Sequence, residues 1–250
     1  AYFTILGGRK MIEVKNVSKK YKEKVALSGC NIQIPRGQII GLFGSNGAGK
    51  TTLMKCIMGF LTFEGEITLD GKKIDQSNIS RLSFATGDHS FFPSITADDH
   101  KWFYKMHFPM FNEKRYDALM EFFELPTRKK ISEFSLGQQN QFEVVLAISQ
   151  GADYVFMDEP FAGNDVFNRE DFYEVLVSVL NKDETVIIST HLIEEIADYI
   201  TRAILIRKSE IIDDLSVADI EASGKSLIEI VKEKYNYRQD RIKKAVDQMK

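Results

Sequence analysis

Apolar and polar residues alternate over residues 11–17 (MIEVKNV), the period of a strand with one buried face. Residues 25–34 continue in that style until Pro35, Arg36 and Gly37 make a turn. Residues 38–43 are instead a short continuous apolar run, which predicts a strand buried on both faces. Residues 66–69 predict another strand, closed by the turn pair Asp70 and Gly71, and 154–157, 185–189 and 202–207 are further apolar runs of strand length. Between these the period changes. Residues 52–58 read as a helix, and over 96–150 spacings of three and four dominate, as in Leu119, Phe122 and Phe123. Residues 167–180 predict an amphipathic helix, and 215–250 two or three short ones. The expected fold is α/β with a mixed or parallel core sheet. An antiparallel β-subdomain leads it, a helical subdomain is inserted at about 94–150, and a helical extension occupies about 215–250.

The helical stretch is rich in rings: Trp102, Phe103, Tyr104, Phe108, Phe111, Tyr116, Phe122 and Phe123. Their helical spacing assigns most of them to the core, and leaves Phe91, Phe92 and Pro93 as the candidate partner surface. Composition narrows the class further. A hydrophobic share of 44% and a charged share of 28% are those of an ordinary globular chain. The net charge of −3 gives no electrostatic argument for a nucleic-acid partner, and none is expected. Cys30 and Cys56 stand alone in apolar surroundings, as buried free thiols do. No apolar run approaches the roughly 18 to 20 residues that span a bilayer. Residues 1–10 end in Gly7, Gly8, Arg9 and Lys10 and read as an added leader, with the native domain running from Met11 to residue 250.

The chemistry concentrates at Gly44, Ser45, Asn46, Gly47, Ala48, Gly49, Lys50 and Thr51, which fit G-x-x-x-x-G-K-[ST] between a predicted strand and a predicted helix that begins with Thr52. Positive φ angles at the glycines turn backbone N–H groups inward as an anion nest, and the helix N-terminus adds partial positive charge. Lys50 then reaches the β- and γ-phosphates, and Thr51 holds Mg²⁺. The expected ligand is a nucleoside triphosphate. Asp158 and Glu159 end a buried strand, on the sheet edge where α/β proteins bind ligands. Asp158 is placed to hold Mg²⁺ and Glu159 to polarise a water. His191 ends another core strand on that edge, in reach of the γ-phosphate. Tyr21, in a polar loop, either stacks on a nucleobase or packs on the sheet.

The phosphate loop, the Asp-Glu pair and the later histidine, in this order around a helical insert, resemble the ATP-binding cassette ATPases of ABC transporters over roughly residues 11–213. The resemblance implies ATP and Mg²⁺ as cofactors, Tyr21 as the adenine-stacking ring, Glu159 as the catalytic glutamate and His191 as the switch histidine. Residues 134–138 (FSLGQ) stand where the family signature L-S-G-G-Q stands. Ser135, Gly137 and Gln138 are then expected to cap the γ-phosphate of a second cassette, with Asp165 facing that partner. The resemblance also implies a separate membrane permease and a cytoplasmic place on the inner face of the membrane. Residues 102–111 look most like small bacterial exporter-type cassettes, including the YtrB-like group. A regulatory module using ATP-dependent dimerisation as a switch is the alternative. A small-molecule kinase would not need the FSLGQ stretch or His191.

Three positions depart from the family pattern. Gly87 stands where a loop glutamine would meet Mg²⁺ and the attacking water, with Asp88 as the substitute carboxylate. Leu136 replaces the first signature glycine, and Asn140 and Gln141 stand where a basic residue follows the signature. The expectation is intact ATP binding with weakened hydrolysis or coupling.

Overall fold

A strand whose successive residues face two different cores must be apolar throughout, and the central strands meet that demand. In the computed structural model, which describes residues 11–160 and 167–235, Tyr154 and Phe156 pack with Ile40, Leu42 and Ile204 on one side of a sheet. Val155 and Met157 pack with Ala85, Ile188 and Leu205 on the other. That alternation turns one continuous run into two half-cores.

The elements in order are β1 (Met11–Tyr21), β2 (Lys24–Pro35), β3 (Ile39–Phe43), α1 (Lys50–Ile57), β4 (Glu64–Leu69), β5 (Lys72–Lys73), β6 (Leu82–Ala85), α2 (Ala97–His107), α3 (Glu113–Phe122), α4 (Leu136–Ser149) and β7 (Tyr154–Asp158). They continue with α5 (Phe167–Val179), β8 (Thr185–Thr190), α6 (Ile193–Ile196), β9 (Arg202–Arg207), β10 (Glu210–Ser216), α7 (Val217–Ala222) and α8 (Leu227–Lys234). The larger sheet has the order β10-β9-β3-β8-β7-β6, parallel except for β10 at its edge. The smaller, β2-β1-β4-β5, is antiparallel. Ile12, Val14 and Val17 of β1 and Leu27, Cys30, Ile32 and Ile34 of β2 cover α1 and one face of the larger sheet. The other face takes α4 and α5, with α2 and α3 outside α4.

Two contacts fix the inserted helices. Phe142 of α4 is fully buried, and its ring meets Phe91, His100, Tyr116 and Phe134 with centroids 5.2–6.5 Å away. Arg115 of α3 grips Glu184, just before β8, through two bonds of 3.0 Å. Most of the rings are expected in the core; Trp102 and Phe122 are outside it, 64% and 39% exposed on the outer faces of α2 and α3. Phe91, expected on a surface, is packed against the core, while Phe92 is exposed. Within the expected helical extension, α7 and α8 are two short helices, and the first starts at Val217. Leu215 and Ser216 belong to β10, whose polar residues mark an edge strand with one open face. Tyr21 likewise lies at the end of β1, next to the tight turn at Lys22 and Glu23.

His100 gives this subdomain a pH dependence. Its buried ring donates from Nδ1 to the Thr96 carbonyl at 2.7 Å and accepts the Phe92 amide at Nε2, 2.9 Å away. The bond at Nε2 needs the neutral ring, because a protonated ring has no acceptor nitrogen. Burial pushes its pKa below the ordinary 6.5. As pH falls below that value the unfolded chain takes up the proton first. The contribution is therefore full above about pH 6.5 and is lost below it, by at most about 1.4 kcal/mol per pH unit. Urea unfolding at about pH 7.5 and about pH 5.5 should show a larger acid-side loss for the wild type than for His100→Gln. Equal losses would remove His100 from the account.

Candidate functional site

Strand register sets the site. Phe43 pairs with Thr190 and Asp158 with Ser189, so β3, β7 and β8 end at one level. The phosphate loop, the Asp-Glu pair and His191 leave the sheet from that edge.

The loop is shaped by crowding as much as by backbone sign. Gly47 and Gly49 have φ of 77° and 117°, the left-handed region open to glycine. Gly44 does not share it, contrary to expectation. Its constraint is the Ile206 carbonyl, which a Cβ at 44 would meet at 2.6 Å. Gly49 is the N-cap of α1 and supplies no side-chain cap, so the first amides of the helix are left for a ligand.

Lys50 is only 6% exposed. Its Nζ donates to the Gly44 carbonyl at 2.7 Å and lies 3.5 Å from Glu159 Oε1. The other Glu159 oxygen faces His191 Nδ1 at 3.0 Å. Glu159 has φ of 48°, rare for a residue with a side chain and typical of functional positions. Its amide donates to the Ser189 carbonyl at 3.0 Å. Asp158 is held from two sides, by Thr51 Oγ1 at 2.6 Å and by the Ser189 hydroxyl. An Asp carboxylate beside a Thr hydroxyl is a pair of hard oxygen donors. That suits Mg²⁺, which keeps several waters and takes further ligands from phosphate. The residues present fit the ion.

A cavity of about 320 Å³ collects the rest. Tyr21, Asn46, Gly47, Lys50, Thr51, Thr52 and Glu159 line it, together with Lys24 and Ala26. The Tyr21 ring is 45% exposed, with Lys19 Nζ 5.4 Å from its centroid. A half-exposed ring at the edge of this cavity is open to stacking by a ligand.

Ser135 caps α4. Its hydroxyl accepts the Gln138 amide at 3.2 Å, and Gln138 Oε1 accepts the Ser135 amide at 3.0 Å. Leu136 beside it is 65% exposed. Neither Ser135 nor Gln138 lines the nucleotide cavity of its own chain. Asp165 lies outside the described residues. Asp88 is not brought to the pair of Asp158 and Glu159: its exposed side chain meets Lys55 at 2.8 Å, the bond that holds its pKa low, and it is not among the residues lining the cavity with them.

Sequence reading also missed three residues. Ser189 and Lys24 carried no signal beyond their place next to a strand end and a turn. Glu143 did carry one. It is a lone acid in the run FEVVLA, it is 2% exposed, and burial pushes its pKa above the ordinary carboxylate range.

Comparison with known proteins agrees with this geometry. The family profile described as ABC transporter matches residues 27–162, just over half of the chain. The chain belongs to the ABC transporter family, as an ATPase cassette. Among relatives of this cassette, the SkfA peptide export ATP-binding protein SkfE of Bacillus subtilis (strain 168) is 28% identical over 229 residues, covering 89% of this chain and 96% of SkfE. The ABC transporter ATP-binding protein YtrB of the same organism is 28% identical over 190 residues, covering 74% and 65%. The dimeric post-hydrolysis structure of the ATP-binding cassette MJ0796, bound to ADP and Pi, superposes with a TM-score of 0.72 at 23% identity. It covers 83% of this cassette and 99% of that chain, a likeness of fold.

Proposed function

We propose that this cassette binds Mg-ATP between Tyr21 and the phosphate loop, closes head to tail on a second cassette, and by hydrolysis drives a separate membrane permease from the cytoplasmic face. The observation that carries the reading is the convergence, on one cavity, of an exposed ring, an anion nest and a carboxylate that ends a core strand. In this reading Lys50 exchanges the Gly44 carbonyl and Glu159 for the β- and γ-phosphates. Thr51 and Asp158 would hold Mg²⁺, which would supply charge neutralisation at the phosphates. Freed from Lys50, Glu159 accepts the proton of the attacking water while His191 holds its other oxygen.

The dimer is supported by the start of α4. Ser135 and Leu136 are exposed at a helix N-terminus, where an anion from another subunit finds oriented amides. The dimeric MJ0796 structure shares the fold. The permease is supported by family membership and by the name of SkfE, a peptide export ATP-binding protein. Among the described residues no helix is long and apolar enough to cross a membrane.

Light scattering on Glu159→Gln with and without Mg-ATP tests the clamp. The solution mass should double with ATP and stay monomeric without it. A monomer whose nucleotide binding is confirmed by titration would overturn the self-paired form of the reading.

A further inference from the structure

The loop that follows β6, residues 86–90, hangs from one face of the signature helix. His89 Nε2 lies 2.8 Å from Asn140 Oδ1, and the Ser90 amide donates to Glu143 Oε2 at 2.9 Å. Asn140 and Glu143 are three apart on α4 and therefore share a face. The second oxygen of Glu143, Oε1, is buried without a well-formed hydrogen bond, although the Thr86 backbone lies close to the carboxyl. Such an oxygen is costly unless something meets it. Glu143 also lines a cavity of about 40 Å³, together with Thr86, Gly87, Asn140, Asp158 and Glu159. Its wall is mostly apolar, Ala85, Val144 and Pro160 included, but Asn140, Glu143, Asp158 and Glu159 bring polar groups to it, and it has room for at least one water.

Gly87, which stands where the family pattern has a glutamine, lines the same cavity. A Cβ at 87 would meet nothing within 4 Å, and the backbone there does not have the positive φ that excludes side chains. The chain therefore has the space for a side chain at 87 and fills the cavity wall from α4 instead.

We infer that Glu143 is a positioning residue that replaces the missing loop glutamine, ordering water in this cavity against Asp158 and Glu159. It also gives α4 two duties, one at its N-terminus and one at mid-length. Ser135 caps the helix that faces a second cassette, and Glu143, eight residues along, sits behind this chain's own catalytic pair. Eight residues of helix are a rigid rod of about 12 Å, so a shift of the signature end moves Glu143. The inference rests on the ATPase reading above.

The test replaces Glu143 by Met, which is similar in length and lacks the oxygens, and separately adds Gly87→Gln. Glu143→Met should lower kcat at least about tenfold with KM for ATP within about twofold. Adding Gly87→Gln to Glu143→Met should restore kcat to within about threefold of wild type, because the carboxamide enters the cavity from its other wall. A second readout needs no turnover. In Glu159→Gln protein, Mg-ATP should slow hydrogen exchange over residues 86–90, and Glu143→Met should abolish that slowing. Should Glu143→Met not fold, Glu143→Ala is carried through the same comparisons. Wild-type kcat in a folded Glu143 variant, or a loss that Gly87→Gln does not repair, would overturn the inference. So would unchanged ATP-dependent exchange. Absence of ATP binding or hydrolysis in the wild type would instead overturn the ATPase reading itself.

Discussion

Glu159→Gln is expected to lower kcat for ATP hydrolysis by about 10²- to 10⁴-fold while the affinity for ATP stays within about threefold. The split follows from what each Glu159 atom touches. Oε1 lies 3.5 Å from Lys50 Nζ and Oε2 lies 3.0 Å from His191 Nδ1, so one oxygen is freed when phosphate captures Lys50 and the other stays anchored. Glutamine keeps the shape, but it loses the charge that pairs with Lys50 and cannot accept a proton. The backbone is already committed to this use. A φ of 48° at a glutamate costs about 1–3 kcal/mol and is held by the bond from its amide to the Ser189 carbonyl. His191→Ala should lose less, because the ring only orients the base. Phosphate-release kinetics on the two variants decide the order. A Glu159→Gln enzyme within threefold of wild type would assign proton acceptance to another group.

The parts of this site that were legible in the sequence are those whose chemistry is local. A glycine-rich turn between a continuous apolar run and a helix has one physical use, and residues 44–49 form that loop, with α1 starting at Lys50. Two acids after an apolar strand, and a histidine after another, come together because parallel strands place their carboxyl ends on one edge. Non-local packing was less legible. Gly44 looked like a conformational glycine and is instead a place where the Ile206 carbonyl comes too close for a Cβ. Asp88 looked like a substitute ligand because it neighbours Gly87 in the chain, yet Lys55 draws it to the surface. Trp102 and Phe122 have helical spacing, but α2 and α3 form an outer layer with one face in solvent. Glu143 joins the catalytic edge only through the packing of α4 on the sheet, which no spacing within its own helix records.

Lys50→Met should weaken ATP binding on the order of 100-fold, the opposite signature to Glu159→Gln. The ammonium is almost fully buried, and it already has two partners, the Gly44 carbonyl and Glu159. Those partners hold the charge at the mouth of the anion nest, so the nucleotide gains charge-assisted bonds of about 1.5–3 kcal/mol each without a search by a long flexible side chain. Binding should be weakened and not abolished, because the amides around Gly47 and Gly49 and the first turn of α1 remain. Lys50→Arg should not rescue it. The loop is already tight where Gly44 meets Ile206, and a guanidinium is broader than the compact charge it replaces. Calorimetric titration with a non-hydrolysable ATP analogue separates the contributions. A loss under about threefold would mean that the nest carries the affinity alone, and that the main use of Lys50 is to keep Glu159 occupied until phosphate arrives.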